Sequence, residues 1–379
     1  MHRRVLLFFL IFFCIPALAK VSFLTISDIH YSRHNPTGDG HNTGDLFLQI
    51  TLNQFRKYSH QADFIINLGD MPTHSLGHHP YKKQQIRTVL DGLYHANNQN
   101  KPMFYIPGNN DSLQGNYQAF RWKNQSPIDL SKLWQSSCIH CRHLPIDQSH
   151  MTSEGYYSTY VLPNNHDIVL IALNSTQFAN TPYYYPKHPQ QNTVAQRQLA
   201  WLEQQLKSLH AKQLLIATHI PPGINYQQKP MWRAKDRRQF VHLLSKYHAH
   251  FKQITILSAH THIDEIRRIH LTDGAHIYDI ATPSISRVHH NYPSMKMFYL
   301  DNDDRLKNFV TYYTRNERRW GNEFYQALGT THAIFPQCSQ QKTLVNCLNK
   351  LRINHIITDH SASFPKDLSP RKAITIKIP

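Results

Sequence analysis

The 379-residue chain is 40% hydrophobic and 11% aromatic, enough apolar material for a sizeable core, which excludes a disordered tail and a disulfide-held miniature. Only 17% of residues are charged, so the polar surface draws on Gln, Asn, Ser and 28 histidines. Lys and Arg outnumber Asp and Glu by 41 to 24, a formal charge of +17 that favours anionic partners without naming one.

In chain order, Met1-His2-Arg3-Arg4 is a basic start to an apolar run, Val5 to Ile15, followed by Ala17-Leu18-Ala19. This basic, apolar and small-residue order predicts a secretory signal over 1–19, cleaved after Ala19, and a secreted or periplasmic product. The run is too short to span a bilayer comfortably, and no later stretch reaches the roughly 18 consecutive apolar residues that predict a membrane helix. Cys14 leaves with the signal, and Cys138, Cys141, Cys338 and Cys347 remain. In an oxidising compartment four cysteines allow several connectivities. Pairing of sequence neighbours, Cys138–Cys141 and Cys338–Cys347, is the expectation. A redox Cys-x-x-Cys is the alternative at Cys138–Cys141, although no strand precedes it and no clear helix follows. A zinc site built from all four cysteines is disfavoured in an exported chain.

Short apolar runs that end in polar turns predict buried strands at Val21–Ser27, Asp63–Leu68, Met103–Ile106, Ile168–Leu173, Leu214–Ala217 and Ile254–Leu257. Gly155–Leu162, His276–Ala281 and Met297–Leu300 are predicted as further strands. Between the strands, leucines at spacings of three and four predict a helix over Gln196–Leu209, with others at Asp45–Tyr58, Tyr81–Ala96 and Arg237–Tyr247. Strands alternating with helices predict an α/β layered domain. With no internal repeat and no linker cutting the chain, residues 20–301 are predicted as one domain. A more polar extension follows over 302–379, with a basic stretch at Arg315–Arg319 and a helix at Gln340–Leu351.

The strand ends carry the chemistry. They read Ser27-Asp28-Ile29-His30, Gly69-Asp70, Gly108-Asn109-Asn110-Asp111, Ala172-Leu173-Asn174, Thr218-His219 and Ala259-His260-Thr261-His262. Residues two apart on an extended segment face the same side, so Asp28 with His30, and His260 with His262, can each converge on one ion. Ligands of open α/β sheets bind beyond the carboxyl ends of the strands. Any one of these pieces is commonplace in a histidine-rich chain; their order, each at a strand end, points to a metal site. Asn174 reads equally as a site residue or a turn amide. Tyr183-Tyr184-Tyr185 and His289-His290 read as substrate contacts or as surface loops. The positive charge is spread along the chain and lacks a nucleic-acid fold signature, so specific nucleic-acid recognition is not expected.

The ordered set Asp28-x-His30, Gly69-Asp70, Gly108-Asn109-x-Asp111, His219 and His260-x-His262 resembles the calcineurin-like metallophosphoesterases. Finer motifs resemble the acid-sphingomyelinase-like branch: Gly69-Asp70-Met71-Pro72-Thr73-His74, Gln198-Leu199-Ala200-Trp201-Leu202, His219-Ile220-Pro221-Pro222-Gly223, His260-Thr261-His262-Ile263-Asp264-Glu265 and Thr282-Pro283-Ser284-Ile285-Ser286. The likeness covers roughly Val21 to Asp301. It implies a two-sheet β-sandwich flanked by helices (the four-layer metallophosphoesterase fold) with a small C-terminal appendage. It implies a dinuclear centre in which Asp28, His30 and His262 hold one metal, Asn109, His219 and His260 hold the other, and Asp70 bridges them. Ligands this rich in imidazole point to Zn, with Mn or Fe as alternatives.

The reaction implied is in-line attack on phosphorus by a hydroxide shared between the metals, in a phosphodiester or phosphoanhydride. Relatives place a histidine directly after the ligand Asn as proton donor. Here that position is Asn110, so His74 is expected as the donor and Asn110 as a phosphate-contacting amide; a solvated loop histidine beside His78 and His79 is the other reading of His74. Only Lys20 separates the signal from the first strand, which argues for soluble phosphodiesters or nucleotides over bilayer sphingomyelin. Polyphosphate cleavage, of endopolyphosphatase type, is the alternative enzyme reading. A catalytically silent polyanion- or metal-binding protein is the reading from another class.

Overall fold

The structure, a computed structural model, describes residues 21–33, 42–74, 80–181, 191–225, 229–287, 292–314 and 344–350. The predicted leader, the Arg315–Arg319 stretch, His78, His79, Cys338, the Tyr183–Tyr185 run and His289-His290 lie outside these residues.

The chain builds two β-sheets packed face to face, with helices on both outer faces. The first sheet has the order β13 (Leu306–Tyr313), β12 (Ser294–Leu300), β1 (Val21–Ile26), β2 (Phe64–Asn67), β3 (Met103–Tyr105), β4 (Cys138–Ile139). The second runs β10 (Ile266–His270), β11 (His276–Ala281), β9 (Phe251–Ser258), β8 (Ala211–Thr218), β7 (Asn165–Leu173), β6 (Tyr157–Leu162), β5 (Pro145–Asp147). β1, β2 and β3 are parallel neighbours in the first sheet, and β7, β8, β9 and β11 in the second. Parallel strands covered on both faces need apolar side chains on both, which is why these segments read as near-continuous apolar runs.

Alternation along a strand divides the side chains between two layers. Phe23, Phe64, Ile66 and Phe104 point between the sheets, against Leu170, Ala172, Leu215, Ala217 and Leu257. The Phe23 ring stacks on Phe64 at 4.8 Å and on Phe298 at 4.7 Å. Leu24, Ile26 and Ile65 point the other way, onto helices α1 (Asp45–Ser59) and α2 (Lys82–Ala96). On the far side, α3 (Gln191–Ser208) and α4 (Ala234–Tyr247) cover Val169, Ile171, Leu214 and Ile216. This is the four-layer α/β sandwich expected from the sequence.

Residues assigned by sequence to the C-terminal extension enter the fold at two places. β13 pairs antiparallel with β12 and edges the first sheet. α5 (Leu344–Lys350) seats Leu344 and Leu348 in the core between the sheets, and Arg268 donates to the Leu348 carbonyl. Cys138 and Cys141 form a disulfide. Among the described residues no helix is long and apolar enough to cross a membrane.

Candidate metal centre

Three strand ends of the first sheet and two of the second meet at one rim of the sandwich. Asp28 and His30 follow β1, Asp70 follows β2, Asn109 and Asn110 follow β3, His219 follows β8, and His260 and His262 follow β9. The backbone turns sharply there: Asp28, His30, Asp70, His260 and His262 all have φ between 46° and 69°. Non-glycine residues seldom adopt this left-handed conformation, and it clusters where function demands it. The turns are tied across strands, with Asp28 N–H donating to the Gly69 carbonyl at 2.9 Å and His30 N–H to that of Asp70 at 3.1 Å.

The side chains converge. The donor atoms of Asp28, His30 and Asp70 lie within 4.8 Å of one another, as do those of Asp70, His219 and His260. Asp70 therefore belongs to both groups. Its Oδ2 lies 3.2 Å from His219 Nε2 and 3.8 Å from His30 Nε2. Asp28 Oδ1 lies 3.2 Å from His262 Nε2, while Oδ2 accepts from Ser27 Oγ at 2.6 Å and from His260 N–H at 3.2 Å. Pro72 and Leu68 carbonyls contact His30 Nδ1 at 3.0 Å and His219 Nδ1 at 2.7 Å. Carbonyl contacts of this kind hold the proton on Nδ1 and turn Nε2 inward.

Asp28 Oδ1, Asn109 Oδ1 and His219 Nε2 are buried without a hydrogen bond. Orphaned buried donor atoms are costly unless something satisfies them. Carboxylate, carboxamide and imidazole atoms of this kind suit divalent cations of the Zn, Fe and Mn class, so the donor set fits a metal centre. The electrostatics agree. Burial alone would lower His219, but the Asp70 and Asp28 carboxylates outweigh it and raise the imidazole to about 9. Burial would raise Asp28 and Asp70, yet neighbouring histidines hold both below the usual carboxylate range. Burial, with His219 beside it, depresses His260 to about 3.

His74 stacks on His30 with ring centroids 3.8 Å apart, and its donor atom falls within 4.8 Å of those of His30 and His262. Asn110 donates from N and Nδ2 to the two oxygens of Asp70, each at 2.7 Å. Both expected catalytic residues thus border the same cavity of about 200 Å³ as Asp70, Asn109, His260 and His262. Asn174 does not line it; that side chain accepts from Thr176 N–H and donates to the Glu154 carbonyl.

Several residues to which the sequence assigned no role also shape the cavity. Asn116, Tyr117, Asn225, Met231 and Thr261 line it. Asp111, quoted above only as part of a motif, accepts from the N–H groups of Asp70, Met71 and Gly108 and from Tyr105 Oη. Lys82, at the start of α2, is buried and donates to the carbonyls of Asn110 at 3.0 Å and Ser112 at 3.1 Å.

Burial pushes the Lys82 ammonium from 10.5 down to about 8, against the pull of Asp111 and Asp70. A base whose folded pKa lies below its unfolded value costs stability where both states are protonated, and that cost is relieved as pH rises from about 8 to about 10.5. In urea unfolding, the wild type should gain about 3 kcal/mol relative to Lys82→Met across this window. A difference that stays flat with pH would mean that the ammonium keeps its charge in the fold.

A family model described as calcineurin-like phosphoesterase matches residues 21–264. Over 294 residues the chain is 28% identical to sphingomyelinase phosphodiesterase D of Dictyostelium discoideum, covering 72% of this chain and 60% of that protein. Over 161 residues it is 30% identical to tartrate-resistant acid phosphatase type 5 of Mus musculus, covering 42% of this chain and 44% of that one. The chain thus spans less than two thirds of the length of either relative. A solved structure described as that of PhoD aligns over 79% of this chain and 71% of its own, at 11% identity and a TM-score of 0.43.

Proposed function

The chain belongs to the calcineurin-like phosphoesterases, and from that premise we propose that it is an exported, dinuclear-metal hydrolase of small phosphodiesters or nucleotides, of acid-sphingomyelinase-like type. The observation that carries the reading is the convergence of Asp28, His30, Asp70, Asn109, His219, His260 and His262 from both sheets onto one cluster, with orphaned donor atoms inside it. In this reading Asp28, His30 and His262 would hold one cation, Asn109, His219 and His260 would hold the other, and Asp70 would serve both; zinc suits the imidazole-rich set. Two bound cations would supply Lewis acidity toward the phosphoryl oxygens and render water nucleophilic near neutral pH.

The chain's own residues do the rest. Ser27 Oγ and His260 N–H fix one Asp28 oxygen and aim the other inward. Asn110 restrains both oxygens of Asp70 and presents its amide at the cavity wall. His74, at the cavity rim and stacked on His30, is the residue assigned to pass a proton to the leaving group; burial and the His30 and His262 imidazoles hold its pKa down to about 2, so it takes up that proton only beside an anionic substrate. Polyphosphate cleavage is the second reading, favoured by Asn110: an amide cannot protonate a leaving alkoxide, and a phosphoryl leaving group needs less protonation.

The test is hydrolysis of bis(p-nitrophenyl) phosphate and of polyphosphate by the full chain loaded separately with zinc and manganese. Asp70→Asn should cost about 10³-fold or more in kcat, and His74→Ala about 10²-fold or more on the aryl diester. Polyphosphate shortening without diester turnover would move the assignment to the anhydride reading. A protein with two bound metals that cleaves neither substrate would overturn the hydrolase reading in favour of a silent binding protein.

A further inference from the structure

Tyr117 has a backbone φ of 57°, an outlying conformation for a bulky aromatic residue and one that costs on the order of 1–2 kcal/mol. The turn is nevertheless held firmly. Tyr117 N–H donates to the Asn109 carbonyl at 2.8 Å, and Asn116 Oδ1 accepts from Asn109 Nδ2 at 2.7 Å. The segment after β3 therefore loops out and returns onto its own candidate ligand. A glycine would make this turn without strain, yet the position carries a tyrosine whose ring lines the cavity with Asp70, Asn109, Asn110 and His260. The phenol reaches the other sheet's ligands: Oη lies 3.5 Å from His260 Nε2, and the two rings meet edge to face at 6.3 Å.

We propose that Tyr117 is a substrate-contacting residue whose phenolic O–H donates to a non-bridging phosphoryl oxygen of the substrate. The inference rests on the phosphohydrolase reading above and adds to it a neutral donor, fixed by the loop that also fixes Asn109. A donor held rigidly beside the reacting group favours the transition state over the ground state, because it need not reorganise when charge builds on phosphoryl oxygen. The strained backbone is then the cost of aiming the phenol across the gap between the sheets.

The experiment uses Tyr117→Phe in the full chain, loaded with zinc. This variant keeps the ring and the backbone and removes only the hydroxyl. Three quantities are read: bound metal by elemental analysis, affinity for inorganic phosphate by calorimetry, and kcat and KM for bis(p-nitrophenyl) phosphate. The expected result is unchanged metal content, phosphate binding weakened about tenfold, and a 10- to 100-fold loss carried mainly by kcat. Loss of metal in step with activity would overturn the proposal and make Tyr117 a positioning residue for His260. Phosphate affinity and turnover equal to wild type would overturn it outright. If wild-type protein with both metals bound neither binds phosphate nor turns over, the hydrolase reading itself has failed, which the phenylalanine variant cannot produce on its own.

Discussion

Gly108→Ala should abolish turnover and strip the site of metal, whereas Gly92→Ala should leave both intact. A Cβ on Gly108 would sit 2.2 Å from Asp70 Oδ1 and 2.4 Å from the Asp70 backbone nitrogen. The second contact is with main chain, so no side-chain rotation relieves it. Gly69, at φ 89°, abuts Gly108 from the opposite direction, and a Cβ there would meet Gly108 N at 2.3 Å. The loops after β2 and β3 approach so closely that neither tolerates a methyl group, and this closeness lets Asn110 hold the Asp70 carboxylate. Forcing the loops apart should cost about 1–3 kcal/mol of stability or more. A displacement of about 1 Å at Asp70 is worth about 10²-fold in rate by itself. Gly92 is the control because its added Cβ would meet only the Leu52 side chain, nearest at Cδ1, the far end of a flexible group that can turn aside. Alanine there regains up to about 1 kcal/mol of helix propensity. Paired thermal melts, metal analysis and kinetics check the contrast, and a Gly108→Ala protein that retains metal and activity would show that the loops are not in the contact described.

Asp111→Asn should weaken metal binding about 10- to 100-fold and destabilise the metal-free chain by about 1–3 kcal/mol. Asp111 is fully buried, and its carboxylate gathers the main-chain N–H groups of both ligand loops. Burial, with Asp70 nearby, raises its pKa, while the donated hydrogen bonds act to keep it ionised. An amide presents one oxygen where the carboxylate presents two, so either Met71 N–H or the group formed by Asp70 N–H, Gly108 N–H and Tyr105 Oη would face an NH₂. Asp111→Ala, which leaves all of these donors unmet, should cost more still, about 3–5 kcal/mol. Titration against a chelator of known affinity measures the first effect and urea unfolding of metal-free protein the second. A chelator midpoint identical to wild type would mean that Asp111 does not position Asp70.

Where physical signals are local, the sequence was legible. β1, β2 and β3 lie between two apolar layers, so their side chains announce them, and the predicted bounds of β11 coincide with the observed His276–Ala281. The candidate ligand positions stood out because each follows such a run. β10 was not legible, because Arg267 and Arg268 interrupt its pattern; Arg267 pairs with nearby Glu265 and with Asp279, and Arg268 donates to the Tyr278 hydroxyl, and only the fold brings Asp279 and Tyr278 alongside on β11. β13 was assigned to the tail for a similar reason, since its core-facing Leu306 and Phe309 are mixed with polar residues. Lys82 looked like any lysine on a helix start. Asn116 and Tyr117 carry no periodic signal, and their place at the site follows from a loop that closes on Asn109.

The two sheets contribute unequal shares of the same cluster, and the joined residues are remote along the chain: His30 and His262 touch at a sequence separation of 232. That separation fixes an order in time. A chain emerging from its N-terminus offers Asp28 and His30 long before His219, His260 and His262 exist to oppose them, and loops of this length close late. A site that needs residues of both sheets is therefore complete only once the sandwich has largely assembled. The binding energy of a cation held as proposed would then clasp one sheet to the other as well as tie the loops of the first sheet together. Chains folded in metal-poor medium should accumulate as a waiting form, with both sheets built and their common rim still open, and addition of metal should complete them without global unfolding.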